Sequence, residues 1–224
     1  MIPQLVRGLR GGIVYSPVQA GMRPDLVLLT QKAFLDPDAI VRQNVLKYHL
    51  YLGVPLPVSV LEKLLADQDL GVLLTALGRI YSNASQVSIV NKIEDLSKHS
   101  DRGIRLKVVS VARDANRFHI RYRSILRGMT KDKDPEVTSM AAVELARFGE
   151  KIPAAVIDRI KNYLLSVEGM SSQVTTILYS ISAMGKDAIQ VYKALTEHSS
   201  SQIRKVAWQR FFSLSSAVNK PDLW

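Results

Sequence analysis

The chain has 224 residues, 47% hydrophobic and 22% charged, with 30 Lys and Arg against 20 Asp and Glu and a formal charge of +10. That is globular composition with a basic tilt, long enough to bury a core without covalent staples. The absence of cysteine excludes disulfide scaffolds, thiolate metal sites and thiol nucleophiles, and no apolar run nears the roughly 18 residues of a membrane span.

Met1 to Tyr15 carries Arg7 and Arg10, then Gly11 and Gly12 where a secretory leader needs its apolar stretch. This points to an intracellular, cytoplasmic protein. Gly8 to Pro24 reads as loop and Leu26 to Leu35 as one helix. Residues 1–35 are therefore expected to form an N-terminal cap and loop, 36–215 a repeat array and 216–224 a C-terminal tail.

From residue 36 onward one unit recurs. A capping residue stands three positions before an apolar one six times: Asp38 and Val41, Asp67 and Leu70, Asp101 and Ile104, Asp134 and Val137, Ser171 and Val174, Ser200 and Ile203. The spacings between successive anchors are 29, 34, 33, 37 and 29. Asp and Ser side chains accept a hydrogen bond from an orphan first-turn amide, so each pair predicts a helix start. Steps of three and four follow each anchor, as in Val41, Val45, Tyr48 and Leu52, or Leu70, Leu74, Leu77 and Tyr81, and they give one apolar stripe. Gly53, Asn83, Asn116, Gly149 and Gly185 lie where these stripes end, and Gly and Asn tolerate a left-handed helix terminus. A shorter second helix then begins, twice with proline near its first turn, at Pro57 and Pro153. Met140, Phe148, Met184 and Phe211 fall on stripes and read as core.

The unit of helix, turn, helix and loop predicts an all-α fold, because a lone helical pair cannot bury both faces and must stack on the next. Asp38-Ala39-Ile40-Val41-Arg42 with Val45, Asp101-Arg102-Gly103-Ile104-Arg105 with Val108, and Ser200-Ser201-Gln202-Ile203-Arg204 with Ala207 resemble the signature of HEAT-like repeats, in the short-period class of phycobilisome lyase subunits. Gly71 and Thr175 stand where two of the arginines would. The resemblance implies a right-handed α-solenoid of about six HEAT-like hairpins with a degenerate N-terminal cap. It specifies a fold and hardly a function.

The charge is concentrated. Between Lys98 and Lys133 there are eleven basic residues and three acids, which is most of the surplus in one sixth of the chain. A second helix over Arg117 to Arg127 would place Arg117 and Arg121 on one edge and Arg123 and Arg127 on another. Like charges at that spacing repel by a few tenths of a kcal/mol per pair, so the arrangement calls for compensation. Acids such as Glu94, Asp95, Glu136, Glu144 and Asp158 could supply it. The alternative is a polyanion site of Arg105, Arg113, Arg117, Arg121, Tyr122, Arg123 and Arg127, with Tyr122 or Phe118 available for stacking. Its partner is an acidic protein surface or a nucleic acid.

Catalytic patterns are sparse. His49, His99, His119 and His198 are scattered without metal-ligand spacing, and His49 and His119 read as helix-surface residues. No metal or cofactor is expected. Some HEAT-like solenoids are DNA glycosylases that remove alkylated bases with a carboxylate and tryptophans on a basic surface. For that alternative Asp114 is the weak catalytic candidate, with Asp158 next, and an ordinary ion-pair role explains Asp114 as well. Trp208 is expected near the core of the last repeat, and Trp224 to fold back or to hook another subunit. A scaffold binding an acidic partner is the leading expectation, and a structural subunit of a larger assembly is the third.

Overall fold

The computed structural model describes residues 24–49 and 56–218. Gly53, most of the expected N-terminal loop and Trp224 lie outside them. The described residues form twelve α-helices and no strand. In chain order these are α1 Pro24–Ala33, α2 Ala39–His49, α3 Val58–Leu64, α4 Leu70–Leu77, α5 Val87–Leu96, α6 Arg102–Ala115, α7 Arg121–Met129, α8 Pro135–Arg147, α9 Ala154–Ser166, α10 Ser172–Ser180, α11 Lys186–Leu195 and α12 Ser201–Val218. Two compact units divide between Ile120 and Arg121. Within each, successive helices pair as in a right-handed helical-repeat solenoid: α2 on α4 and α4 on α6 in the first, α8 on α10 and α9 on α11 in the second.

Four of the six anchors, Asp38, Asp101, Asp134 and Ser171, accept a first-turn amide through their side chains. Asp101 accepts from the Ile104 amide at 2.9 Å, Asp134 from those of Glu136 and Val137, and Ser171 from Val174 at 3.1 Å. A second element, two residues earlier, was not foreseen. Asp36, Asp67, His99, Asp132 and His198 each accept a hydrogen bond from the backbone amide two positions on. The loop entering five of the first helices is thus folded by the same side-chain turn.

The second repeat corrects the expected register. Its N-cap is Asp69, whose carboxylate takes the Val72 amide at 2.9 Å, and Asp67 serves the preceding turn. The first two spacings become 31 and 32, and the buried stripe is Val72, Leu73, Ala76, Leu77 and Ile80. Leu70 is 43% exposed, and Leu74 and Tyr81 are exposed as well. The sequence offers two aspartates two apart ahead of Leu-Gly-Val-Leu-Leu-Thr-Ala-Leu, where apolar residues face almost every direction and stripe and anchor slip together.

Of the expected glycine and asparagine stops, Gly149 and Gly185 adopt positive φ, at 76° and 59°. The asparagines do not. Asn116 closes α6 at φ −52°, and buried Asn83 donates from Nδ2 to the Leu56 carbonyl at 2.8 Å, tying the turn after α4 to the start of α3. Pro57 and Pro153 precede α3 and α9 as N-caps. His49 is buried, edge-on to Phe34 at 5.2 Å, and is not a surface residue. Met184 is core, whereas Met140, Phe148 and Phe211 are half-buried.

Candidate polyanion-binding site

The signature arginines are builders of the fold. Arg105 is 4% exposed, and its Nη1 donates to the carbonyls of His99 and Ser100, both at 2.9 Å. Arg42 treats Asp36 and Pro37 in the same way, and Arg204 treats His198 and Ser199. An arginine four residues past the N-cap therefore reaches back over the first turn and closes the loop that precedes it. Arg42 does more. Its Nε and Nη2 grip both oxygens of Asp67 in the next repeat at 2.7 Å. Burial pushes the Asp67 carboxyl up, but that fork and the Asp69 amide outweigh it and hold the group below its ordinary value.

Arg105 accordingly leaves the expected ligand set. Tyr122 leaves it too, because it is 0% exposed on α7, where burial pushes its phenol up to about 12. No face remains for stacking.

The other arginines divide between the units. The helix expected from Arg117 begins at Arg121, so Arg117 sits in the turn between α6 and α7 and shares no helical edge with Arg121. In the second unit, Arg127 forms a two-pronged pair with Glu150 at 2.7 and 2.8 Å, an acid outside the expected set. Arg123 lies over the Phe148 ring at 5.2 Å, and Arg121 is half-buried at the start of α7. Of the acids expected to compensate, Glu144 takes Arg147 and Asp158 takes Lys161, each at 2.7 Å.

In the first unit the stacking assembles a basic edge. Helices α2 and α4 run parallel: Arg42 meets Asp67 at their starts, and at their ends Arg79 donates to the Leu46 and Lys47 carbonyls, both at 3.2 Å. At the corresponding end of α6, Arg113 grips Asp114 at 2.7 Å, and the Tyr81 hydroxyl donates to the same carboxylate at 2.7 Å. The Arg113 bond, with help from Tyr81 and nearby Lys107, holds the Asp114 carboxyl below its ordinary value. Arg117 lies over Phe118 at 4.7 Å and pairs with no carboxylate among the described residues. Arg113 and Lys107 thus lie about Asp114, and Arg113 and Arg117 about Tyr81, while Arg79 reaches the end of α2 at Lys47.

The opposite ends of these helices carry Asp36, Asp38, Asp67, Asp69 and Asp101. Acids at helix starts and cations such as Lys47 and Arg113 at helix ends both complement the helix dipole. Lys47 and Arg79 escaped the sequence reading because they lie outside the Lys98 to Lys133 run. Stacking of α2 on α4 and of α4 on α6 brings these helix ends next to one another in turn.

Both Asp114 oxygens are engaged by Arg113 and Tyr81. Among the described residues no group of His, Asp and Glu side chains is placed to hold a metal ion, and no helix is long and apolar enough to cross a membrane.

No family model matches the sequence, and no curated protein matches it. Among solved structures, the chain is similar to the crystal structure of an engineered protein determined as a Northeast Structural Genomics Consortium target. The two share 18% identity and a TM-score of 0.43, with 87% of this chain and 98% of that one covered.

Proposed function

We propose that the protein is a non-catalytic scaffold of HEAT-like repeats that holds an acidic partner on the basic edge where α2, α4 and α6 end. The observation that carries this is Arg117: an exposed guanidinium with no carboxylate partner among the described residues, which with Arg113 faces Tyr81, while Arg113 and Lys107 share Asp114. Arginine's planar fork suits carboxylate or phosphate groups in pairs. An acidic protein surface fits better than nucleic acid. Tyr122 is buried and cannot stack on bases, and Phe118, 41% exposed, carries Arg117 over one face of its ring, while the adjoining Ile120 offers an exposed aliphatic side chain.

The test is fluorescence anisotropy with a labelled glutamate-rich peptide and, separately, labelled DNA of equal charge. Lys107→Gln with Arg117→Gln should weaken peptide binding at least about tenfold at about 50 mM salt and by less at about 500 mM. Equal affinity of wild type and variant would reject the site. Tighter binding of DNA than of peptide would reassign the partner to nucleic acid.

A further inference from the structure

The turn that leaves α6 exposes more apolar surface than the recognition of charge requires. Phe118 and Ile120, the latter 68% exposed, stand two residues apart between α6 and α7. Two residues of chain span at most about 7 Å. Tyr81, which opens the single tight turn Tyr81–Asn83 after α4, is exposed as well, and its hydroxyl reaches Asp114 in the last turn of α6 at 2.7 Å. Single exposed apolar side chains are ordinary, whereas neighbouring ones mark surfaces that bind.

Arg117 joins these residues into one patch. Its guanidinium lies over the Phe118 ring at 4.7 Å, and its charge, with that of Arg113, is felt at the Tyr81 hydroxyl. An arginine already laid on a ring loses less freedom when it closes on a carboxylate. Asp114 shows how the polar members treat such a group: Arg113 Nε and Nη2 and the Tyr81 hydroxyl meet its two oxygens at 2.7, 3.2 and 2.7 Å. Three cations, Lys107, Arg113 and Arg117, thus stand with one acid, and three minus one leaves two charges for a partner.

We infer that the acidic partner is a protein segment in which apolar side chains are interspersed among carboxylates, the acids meeting Arg117 and Lys107 and the apolar side chains covering Phe118 and Ile120. The inference rests on the proposed basic edge and names the chemistry of its partner. A segment that brought carboxylates alone would leave Phe118 and Ile120 in water. Covering them adds a gain that salt does not screen. Asp114, ionised inside the patch, opposes a continuous array of phosphates more than it opposes a segment whose acids are spaced, and two apolar side chains in one turn give a membrane surface little to hold.

Two labelled peptides of equal length and charge test this in the full chain by fluorescence anisotropy, one with its glutamates separated by serine and the other with its glutamates separated by leucine. Wild type should bind the leucine peptide at least about tenfold tighter, the scale of covering one such side chain, and should keep the preference at about 500 mM salt. Phe118→Ser with Ile120→Ser should bind the two peptides alike, with circular dichroism matching wild type because both side chains are exposed. Ile120→Ser alone, which leaves Arg117 on Phe118, should lose part of the preference. Equal affinity of wild type for the two peptides, or a preference that survives the double substitution, would overturn the inference and leave the basic edge standing. Binding of neither peptide would reject the basic edge and the inference with it. Tighter binding to phosphatidylserine vesicles than to either peptide, lost in the double variant, would reassign the patch to a membrane surface.

Discussion

Replacing Arg105 separates a structural arginine from a binding one. Arg105 is 4% exposed and donates to two carbonyls at 2.9 Å. A hydrogen bond from a charged group is worth about 1.5–3 kcal/mol, so Arg105→Ala, which also leaves two loop carbonyls to find water, should cost about 3–5 kcal/mol. Near 200 residues, about 1 kcal/mol moves the unfolding midpoint by ~2–4 °C, and the midpoint should fall by roughly 10 °C. Arg105→Lys keeps the charge and loses the fork, and it should fall in between. Arg117→Ala, at an exposed turn, should stay within about 0.5 kcal/mol of wild type. Urea denaturation followed by far-ultraviolet circular dichroism measures all three. If Arg105→Ala costs no more than Arg117→Ala, the loop-closing role assigned to the signature arginine is wrong.

Register in the second repeat is checked by Leu73→Ala, expected to cost about 2–5 kcal/mol, against Leu70→Ala, expected to cost under about 1 kcal/mol; the reverse order in urea melts would restore the slipped stripe. Asp67 and Asp114 both titrate below the usual 3.8 in the folded chain. Their stabilisation is complete above that value and is lost as pH falls through their folded values. Asp67→Asn should therefore lower stability at neutral pH and flatten its decline in acid, and an unchanged acid limb would contradict the assignment. Tyr122 should ionise only near 12 in a spectrophotometric titration of the folded chain, after exposed tyrosines have done so.

Much of the architecture was legible because its signals are local. An N-cap and a step of three or four report on the same few residues that form the helix, so Asp101, Asp134 and Ser171 were read correctly. The register failed at Asp67, where two candidate caps precede a segment too uniformly apolar to choose between them. Function was less legible because a charge run says how many cations there are and not what each one holds. Arg105 recurs at the position of Arg42 and Arg204, and that recurrence was the available sign that it serves the repeat. Arg127 gave no such sign, since Glu150 is 23 residues away. Trp208 adjoins Ala207 on a stripe and was read as core; it is exposed because no further layer of described residues covers α12.

The basic edge is tested most directly by an NMR titration of the arginine side-chain Nε–H signals with a glutamate-rich peptide. Arg113 and Arg117 should shift progressively and saturate together, while Arg42 and Arg105, already closed on carbonyls of their own loops, should stay where they are. Shifts centred on Arg123 and Arg127 with Arg117 unmoved, or no saturable shift at any arginine, would contradict the account.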